Sequence, residues 1–168
     1  MDCAECGFVY DLALSNETSR LARAYAAEYR ELLALDPERL RRRVSAEVWS
    51  PLEYACHVRD VLLAQRERVL AARRESLPTT VPMGRDERVE HEGYNDQHPE
   101  DVARQLADAA MLFGNVLDRL GPADWNREIL YAYPERSIRT LRWLAVHTLH
   151  ELRHHLLDMR RKLAVAGR

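Results

Sequence analysis

The stretch "HTLHELRHHLLD", His147 to Asp158, carries four histidines, a glutamate and an aspartate in twelve residues. Leu141, Ala145, Thr148, Leu152, Leu156, Met159 and Leu163 recur at helical spacing through and around it, which predicts one long helix from about Ile138 to Val165. On that helix, with Leu152 at the centre of the apolar stripe, His155 lies about 60° away and Glu151 about 100° away on the same side. His147 lies about 140° away, one turn before Glu151, while His150 and His154 lie about 160° away on the outer face with Trp143. The helix thus offers two sets of metal ligands, because imidazole and carboxylate at a spacing of four residues share a face and suit divalent ions.

"HELRH", His150 to His154, also satisfies the zinc-peptidase pattern H-E-x-x-H. Such enzymes need a third ligand from a later segment, and apart from His155 and Asp158 nothing after His154 supplies one. A peptidase is therefore not expected.

Three further helical patterns precede this one. The first runs from about Asn16 to Leu35, with Leu21, Tyr25, Tyr29 and Leu32 on one stripe, and Asp36-Pro37 restarts the chain as a short turn or helix. The second opens with the same device at Ser50-Pro51 and continues to about Arg74; its apolar stripe centres on Ala55, Val58, Leu62 and Val69, and His57 lies well off it. Pro78, Pro82, Gly84 and Gly93 interrupt a long connection before the third helix, which carries Val102, Leu106, Ala109, Phe113, Val116 and Leu120. A loop with Trp125, Tyr131, Tyr133 and Pro134 leads to the fourth. No segment alternates with period two for long enough to predict a strand, so the pattern is that of an all-α four-helix bundle.

Length and charge fit one soluble domain: 168 residues, 46% hydrophobic, 31% charged, net charge −2. That balance speaks against a nucleic-acid partner, and no apolar run is long enough for a membrane helix. The opening Met1-Asp2-Cys3 does not resemble a signal peptide, so the cytoplasm is the expected compartment.

"WSPLEYACHVRD", Trp49 to Asp60, places His57 eight residues after Trp49; together with "HTLHELRHHLLD" and the loop tryptophan of "ADWNRE" it resembles the DinB-like superfamily. That superfamily includes thiol-dependent maleylpyruvate isomerases and thiol S-transferases, and the resemblance covers nearly the whole chain. It implies a bundle of up-down-down-up topology, a long connection between the second and third helices, and a divalent metal in a pocket at one end. It further implies one histidine ligand from the second helix and a pair spaced by four on the fourth. The pair is His and His in the DinB type, Glu and His in the isomerase type, often with a polar residue three after the last ligand. Asp158 stands three after His155, which matches His57, Glu151 and His155; His147 and Asp158 would orient them, with His147 as an alternative ligand. Sliding the register by one would select His150 and His154.

By donor type such ligands suit zinc, nickel, iron or copper, with zinc or nickel expected first; the resemblance implies a low-molecular-weight thiol as cosubstrate, a small-molecule substrate and S-transferase or isomerase chemistry. The other reading is a non-catalytic metal-binding or stress-response scaffold that forms a homodimer through a bundle face. Arg85 and Arg88, on the long connection, are either contacts for an anionic substrate or ordinary surface arginines.

Residues 1–14 read as an arm ahead of a bundle domain over 15–168. Cys3 and Cys6, in "CAECGF", form half of a zinc knuckle, and a closed zinc site needs four ligands. Either the two are a free thiol pair, or the arm folds back so that they meet the outward His150 and His154. Cys56 is expected to pack in the core.

Overall fold

The computed structural model describes residues 2–133 and 135–166. Four long helices, α1 (Thr18–Leu33), α3 (Pro51–Arg74), α5 (Pro99–Leu117) and α6 (Leu141–Ala166), form the bundle, and two short ones, α2 (Pro37–Arg41) and α4 (Arg85–His91), sit on the connections. A 3-10 turn, Leu12–Glu17, leads into α1, with the Asp11 side chain accepting from the Ala13 amide at its start.

Cross-helix contacts fix the directions. Arg23 near the start of α1 reaches Asn115 and Asp118 at the end of α5, so these two are antiparallel. Ser50 at the head of α3 bonds Asn95, and Arg59 bonds Gln97 and Gln105, so α3 and α5 begin at the same end and run parallel. Arg127, ahead of α6, donates to the Ala72 carbonyl at the end of α3, which makes that pair antiparallel. Ser15 meets Arg142 and Tyr29 donates to the Leu152 carbonyl, aligning α1 with α6. The result is the up-down-down-up bundle, its two central helices joined by the long connection.

Several expectations change in detail. The deepest residues of α1 are Ala22, Ala26, Tyr29 and Leu33, while Leu21, Tyr25 and Leu32 are only half-buried. Small residues lie innermost because α1 and α5 approach closely: a Cβ on Gly114 would meet Ser19 Oγ at 2.7 Å. The chain also contains strands. β1 (Asp2–Cys3) pairs antiparallel with β2 (Phe8–Val9), and β3 (Glu128–Tyr131) with β4 (Ser137–Thr140). In β3 only Ile129 and Tyr131 are buried, one period of alternation, too short to stand out in the sequence. β4 takes Ile138 out of the fourth helix, and α6 starts at Leu141 with Thr140 Oγ1 accepting from the Trp143 amide. Pro134, between β3 and β4, lies outside the described residues.

The central helix α3 is buried on nearly every side through its first three turns, from Pro51 to Leu62 with Tyr54 alone half-buried. His57, well off the apolar stripe, is therefore only 5% exposed. A helix enclosed all round has no single apolar stripe, so distance from a stripe does not indicate exposure.

Candidate metal centre

The start of α3 is pinned by a capping box: Ser50 Oγ accepts from the Glu53 amide, and Glu53 Oε2 accepts from the Ser50 amide at 2.7 Å. Buried Glu53 also takes an ion pair from Arg43. Fixed in this way, the second turn aims His57 at α6. Its ring lies 5.0 Å from that of His155 and 5.1 Å from Trp49, centroid to centroid. His57 Nδ1 is buried with no hydrogen-bond partner among the described residues. Burial and the neighbouring charge of His155 push the His57 pKa down to about 3, leaving a neutral imidazole whose lone pair is free for an ion.

On α6, Glu151 and His155 stand one turn apart, with Oε2 and Nε2 separated by 3.5 Å. His155 Nδ1 bonds Asp158 Oδ2 at 3.1 Å, which holds the ring and leaves Nε2 facing Glu151 and His57. Burial alone would raise the Glu151 carboxyl, but the imidazoles of His150 and His155 hold it well below the usual range. Burial would lower His155, yet Asp158 and Glu151 together bring it up to about 9. One ligand atom from each of His57, Glu151 and His155 lies within 4.8 Å of the other two. Two imidazoles, one of them with an orphaned ring nitrogen, and a carboxylate fit a first-row divalent ion with room for a further ligand. His147, His150 and Glu151, and likewise His154, His155 and Asp158, also gather within 4.8 Å, but each set stays on α6 and shares a residue with the first.

These residues form one wall of a cavity of about 800 Å³, closed by α3, the β3–β4 hairpin, the Pro82–Arg85 segment and Tyr10 of the arm. Sequence reasoning missed most of its polar lining. Tyr10 OH shares a 2.9 Å hydrogen bond with His147 Nδ1, and His147 stacks on Trp143 with ring centres 4.6 Å apart. Burial lowers the His147 pKa to about 4, so this imidazole too is neutral. Arg68 donates to Tyr131 OH at 3.0 Å and to the Val81 carbonyl at 2.9 Å; Arg139 lies over Trp143 at 4.7 Å. Among the described residues neither arginine is paired with a carboxylate.

Of the two arginines expected near a substrate, Arg85 lines the cavity, above Trp49 at 5.8 Å. Arg88 does not line it. It is held by Asp60 at 3.2 Å, Glu92 at 2.8 Å and the Met83 carbonyl at 2.9 Å, and it anchors α4. Cys56 is fully buried, with Sγ 3.7 Å from the Tyr94 carbonyl.

The outer face of α6 is covered. The arm lies across it, and His150 and His154 side chains retain only 14% and 20% exposure. Cys3 Sγ comes 3.6 Å from His154 Nδ1, and ligand atoms of Cys3, Cys6, His150 and His154 all lie within 4.8 Å of one another. The two histidines of H-E-x-x-H thus gather with the arm's thiols, while the intervening Glu151 turns toward His57.

Comparison with known proteins gives concordant results. A sequence model of the DinB superfamily matches residues 20–159. YfiT from Bacillus subtilis, described as a probable metal-dependent hydrolase with an unusual four-helix bundle topology, superposes with a TM-score of 0.80 at 15% identity, covering 91% of this chain and 87% of that one. The mycothiol-dependent maleylpyruvate isomerase superposes with a TM-score of 0.70 at 18% identity over 86% of this chain, which spans 60% of the isomerase's length. No curated protein matches the sequence. The chain belongs to the DinB superfamily.

Proposed function

We propose that this DinB-superfamily chain is a metal-dependent enzyme that joins a small thiol to an anionic small molecule, by S-transfer or by thiol-assisted isomerisation. The observation that carries the reading is the meeting of buried His57 with half-buried Glu151 and His155 on the wall of a cavity that also holds Arg68 and Arg139, neither paired with a carboxylate among the described residues. The comparisons lend support, since one similar structure is described as a probable metal-dependent hydrolase and another as a mycothiol-dependent isomerase.

His57, Glu151 and His155 would hold the ion, zinc or nickel by their donor types. Bound there, a divalent ion supplies Lewis acidity that lowers the pKa of a thiol or water and so provides a nucleophile at neutral pH. The chain's own groups do the rest. Asp158 keeps His155 in one tautomer, and Trp49 and Tyr54 flank the two imidazoles with apolar faces, His57 5.1 Å from Trp49 and His155 5.4 Å from Tyr54. Arg68 and Arg139 present charge to a carboxylate or similar group of the acceptor. Tyr10 and His147, joined by their hydrogen bond, form a neutral pair at the cavity wall that can pass or hold a proton at His147 Nε2. A peptidase is not part of this reading, because His150, His154 and Glu151 do not converge as one ligand-and-base set.

The test is turnover. Purified chain loaded with zinc or nickel is offered low-molecular-weight thiols with anionic electrophiles and with cis-configured unsaturated acids. Thiol consumption or isomerisation that disappears in His57→Ala and Glu151→Ala supports the proposal. Metal-dependent hydrolysis without any thiol requirement would replace it with the hydrolase reading.

A further inference from the structure

Cys3, Cys6, His150 and His154 make a second constellation, built from two distant parts of the chain, and its two histidines also border the cavity. Cys3 and Cys6 lie on the β1–β2 hairpin of the arm, whose turn is made by Gly7 at φ 64° with its amide bonded to the Cys3 carbonyl at 2.8 Å. That left-handed turn suits glycine and folds both sulfurs to the same side. His150 and His154 stand one helical turn apart on α6, 151 positions beyond the first cysteine in the case of His154.

We propose that Cys3, Cys6, His150 and His154 bind a second ion, a structural zinc that clamps the arm onto α6. The geometry is that of a closed tetrahedral site. With zinc–sulfur bonds of about 2.3 Å and zinc–nitrogen bonds of about 2.0–2.1 Å, the sulfur–nitrogen edge of such a tetrahedron is roughly 3.6 Å. The Cys3 Sγ to His154 Nδ1 separation is 3.6 Å. His150 Nδ1 lies 3.3 Å from Glu151 Oε1, while His150 Nε2 is buried with no hydrogen-bond partner among the described residues, and an ion would satisfy it. Behind His154, its other nitrogen Nε2 faces Asp158 and Glu5, each at 3.5 Å, the carboxylate support that ligating imidazoles commonly have. The ligand set is complete without water, so this ion is structural.

The clamp has a consequence for the cavity. The arm's Phe8 is buried with its ring 5.6 Å from His150, and two residues later Tyr10 reaches His147. Zinc on the outer face of α6 would thus hold in register the segment that supplies Tyr10 to the cavity. The two ligand sets share no residue, although Asp158 contacts both His154 and His155.

Cobalt(II) titration of the full chain in reducing, oxygen-free buffer is the test, because thiolate-bound cobalt has a sulfur-to-metal charge-transfer band in the near ultraviolet that nitrogen and oxygen ligands do not give. The unaltered chain is expected to show the band, and to keep it in His57→Ala/Glu151→Ala/His155→Ala. Cys3→Ser/Cys6→Ser and His150→Ala/His154→Ala are each expected to lose it together with one equivalent of cobalt. No band in the unaltered chain would overturn the proposal without any variant having to fold. A band that survives His150→Ala/His154→Ala would also overturn it, by showing a thiol site independent of α6.

Discussion

His57 on α3 and His155 on α6 meet edge to face with ring centres 5.0 Å apart, and this contact ties the two antiparallel helices together at the cavity wall. The two imidazoles are held in opposite states: burial and its partner's charge keep His57 neutral, while Asp158 and Glu151 keep a proton on His155.

An ion that takes His155 as a ligand must displace that proton. Since the His155 pKa stands at about 9 and that of His57 at about 3, zinc uptake at this site near neutral pH is expected to release close to one proton per ion. The affinity should rise about tenfold per pH unit between roughly pH 6 and 8 and flatten as pH passes the His155 pKa. Calorimetry in buffers of different ionisation enthalpy, on Cys3→Ser/Cys6→Ser to isolate the site, measures the proton count. An affinity independent of pH over that range would remove His155 from the ligand set.

Among the described residues Arg68 and Arg139 have neutral partners only, so their charges are available to a ligand. Replacing either with methionine keeps the apolar stem and removes the charge. With charge-assisted contacts worth about 1.5–3 kcal/mol, binding of succinate as a simple dianion should weaken roughly 10–100-fold. Equal succinate affinity in the wild-type chain and in both variants would rule these arginines out as the anion contact.

Glu53, 1% exposed, closes the capping box of α3 and pairs with Arg43. Glu53→Ala removes both and is expected to cost about 2–4 kcal/mol, with the Arg43 side being partly exposed and its share discounted accordingly. For a chain of this size that is roughly 4–15 °C in Tm. Glu53→Gln, which keeps the contact to the Ser50 amide, should lose less, and thermal unfolding separates the two. Identical melting of wild type and Glu53→Ala would refute this role.

Most of the bundle was legible because its elements carry local signals. Asp36-Pro37 and Ser50-Pro51 mark helix starts chemically, and the α6 stripe Leu141, Ala145, Thr148, Leu152, Leu156, Met159 and Leu163 repeats through six turns and is buried throughout. The β3–β4 hairpin was not legible, since β3 offers one period of alternation and β4 buries no residue, its Ile138 being exposed. The set His57, Glu151 and His155 was suggested by motif resemblance, whereas the burial of His57 depends on what surrounds α3 and has no local signature. Arg88 and Arg68 show the same limit. The sequence singled out the first, which is occupied by Asp60, and passed over the second, whose freedom follows only from the arrangement of Gln65, Tyr131 and Val81 around it. Tyr10 enters the cavity by a long-range docking of the arm, with no trace in its own neighbourhood of the chain.

Buried Cys56, its thiol pushed up to about 12 chiefly by burial, is expected to resist alkylation by iodoacetamide at pH 8 in the folded chain. Mass spectrometry of Cys3→Ser/Cys6→Ser with and without denaturant reads this directly. Rapid modification of the native variant would mean that the α3–α5 seam opens far more readily than its packing indicates.

The central claim is that one divalent ion binds between α3 and α6 on His57, Glu151 and His155, and metal content measured by elemental analysis tests it most directly. In a Cys3→Ser/Cys6→Ser background reconstituted with zinc and desalted, the account predicts close to one ion per chain, falling to essentially none when Glu151→Ala/His155→Ala is added and sharply reduced with His57→Ala. An ion retained at full stoichiometry in the chain lacking Glu151 and His155 would contradict it and assign the metal elsewhere.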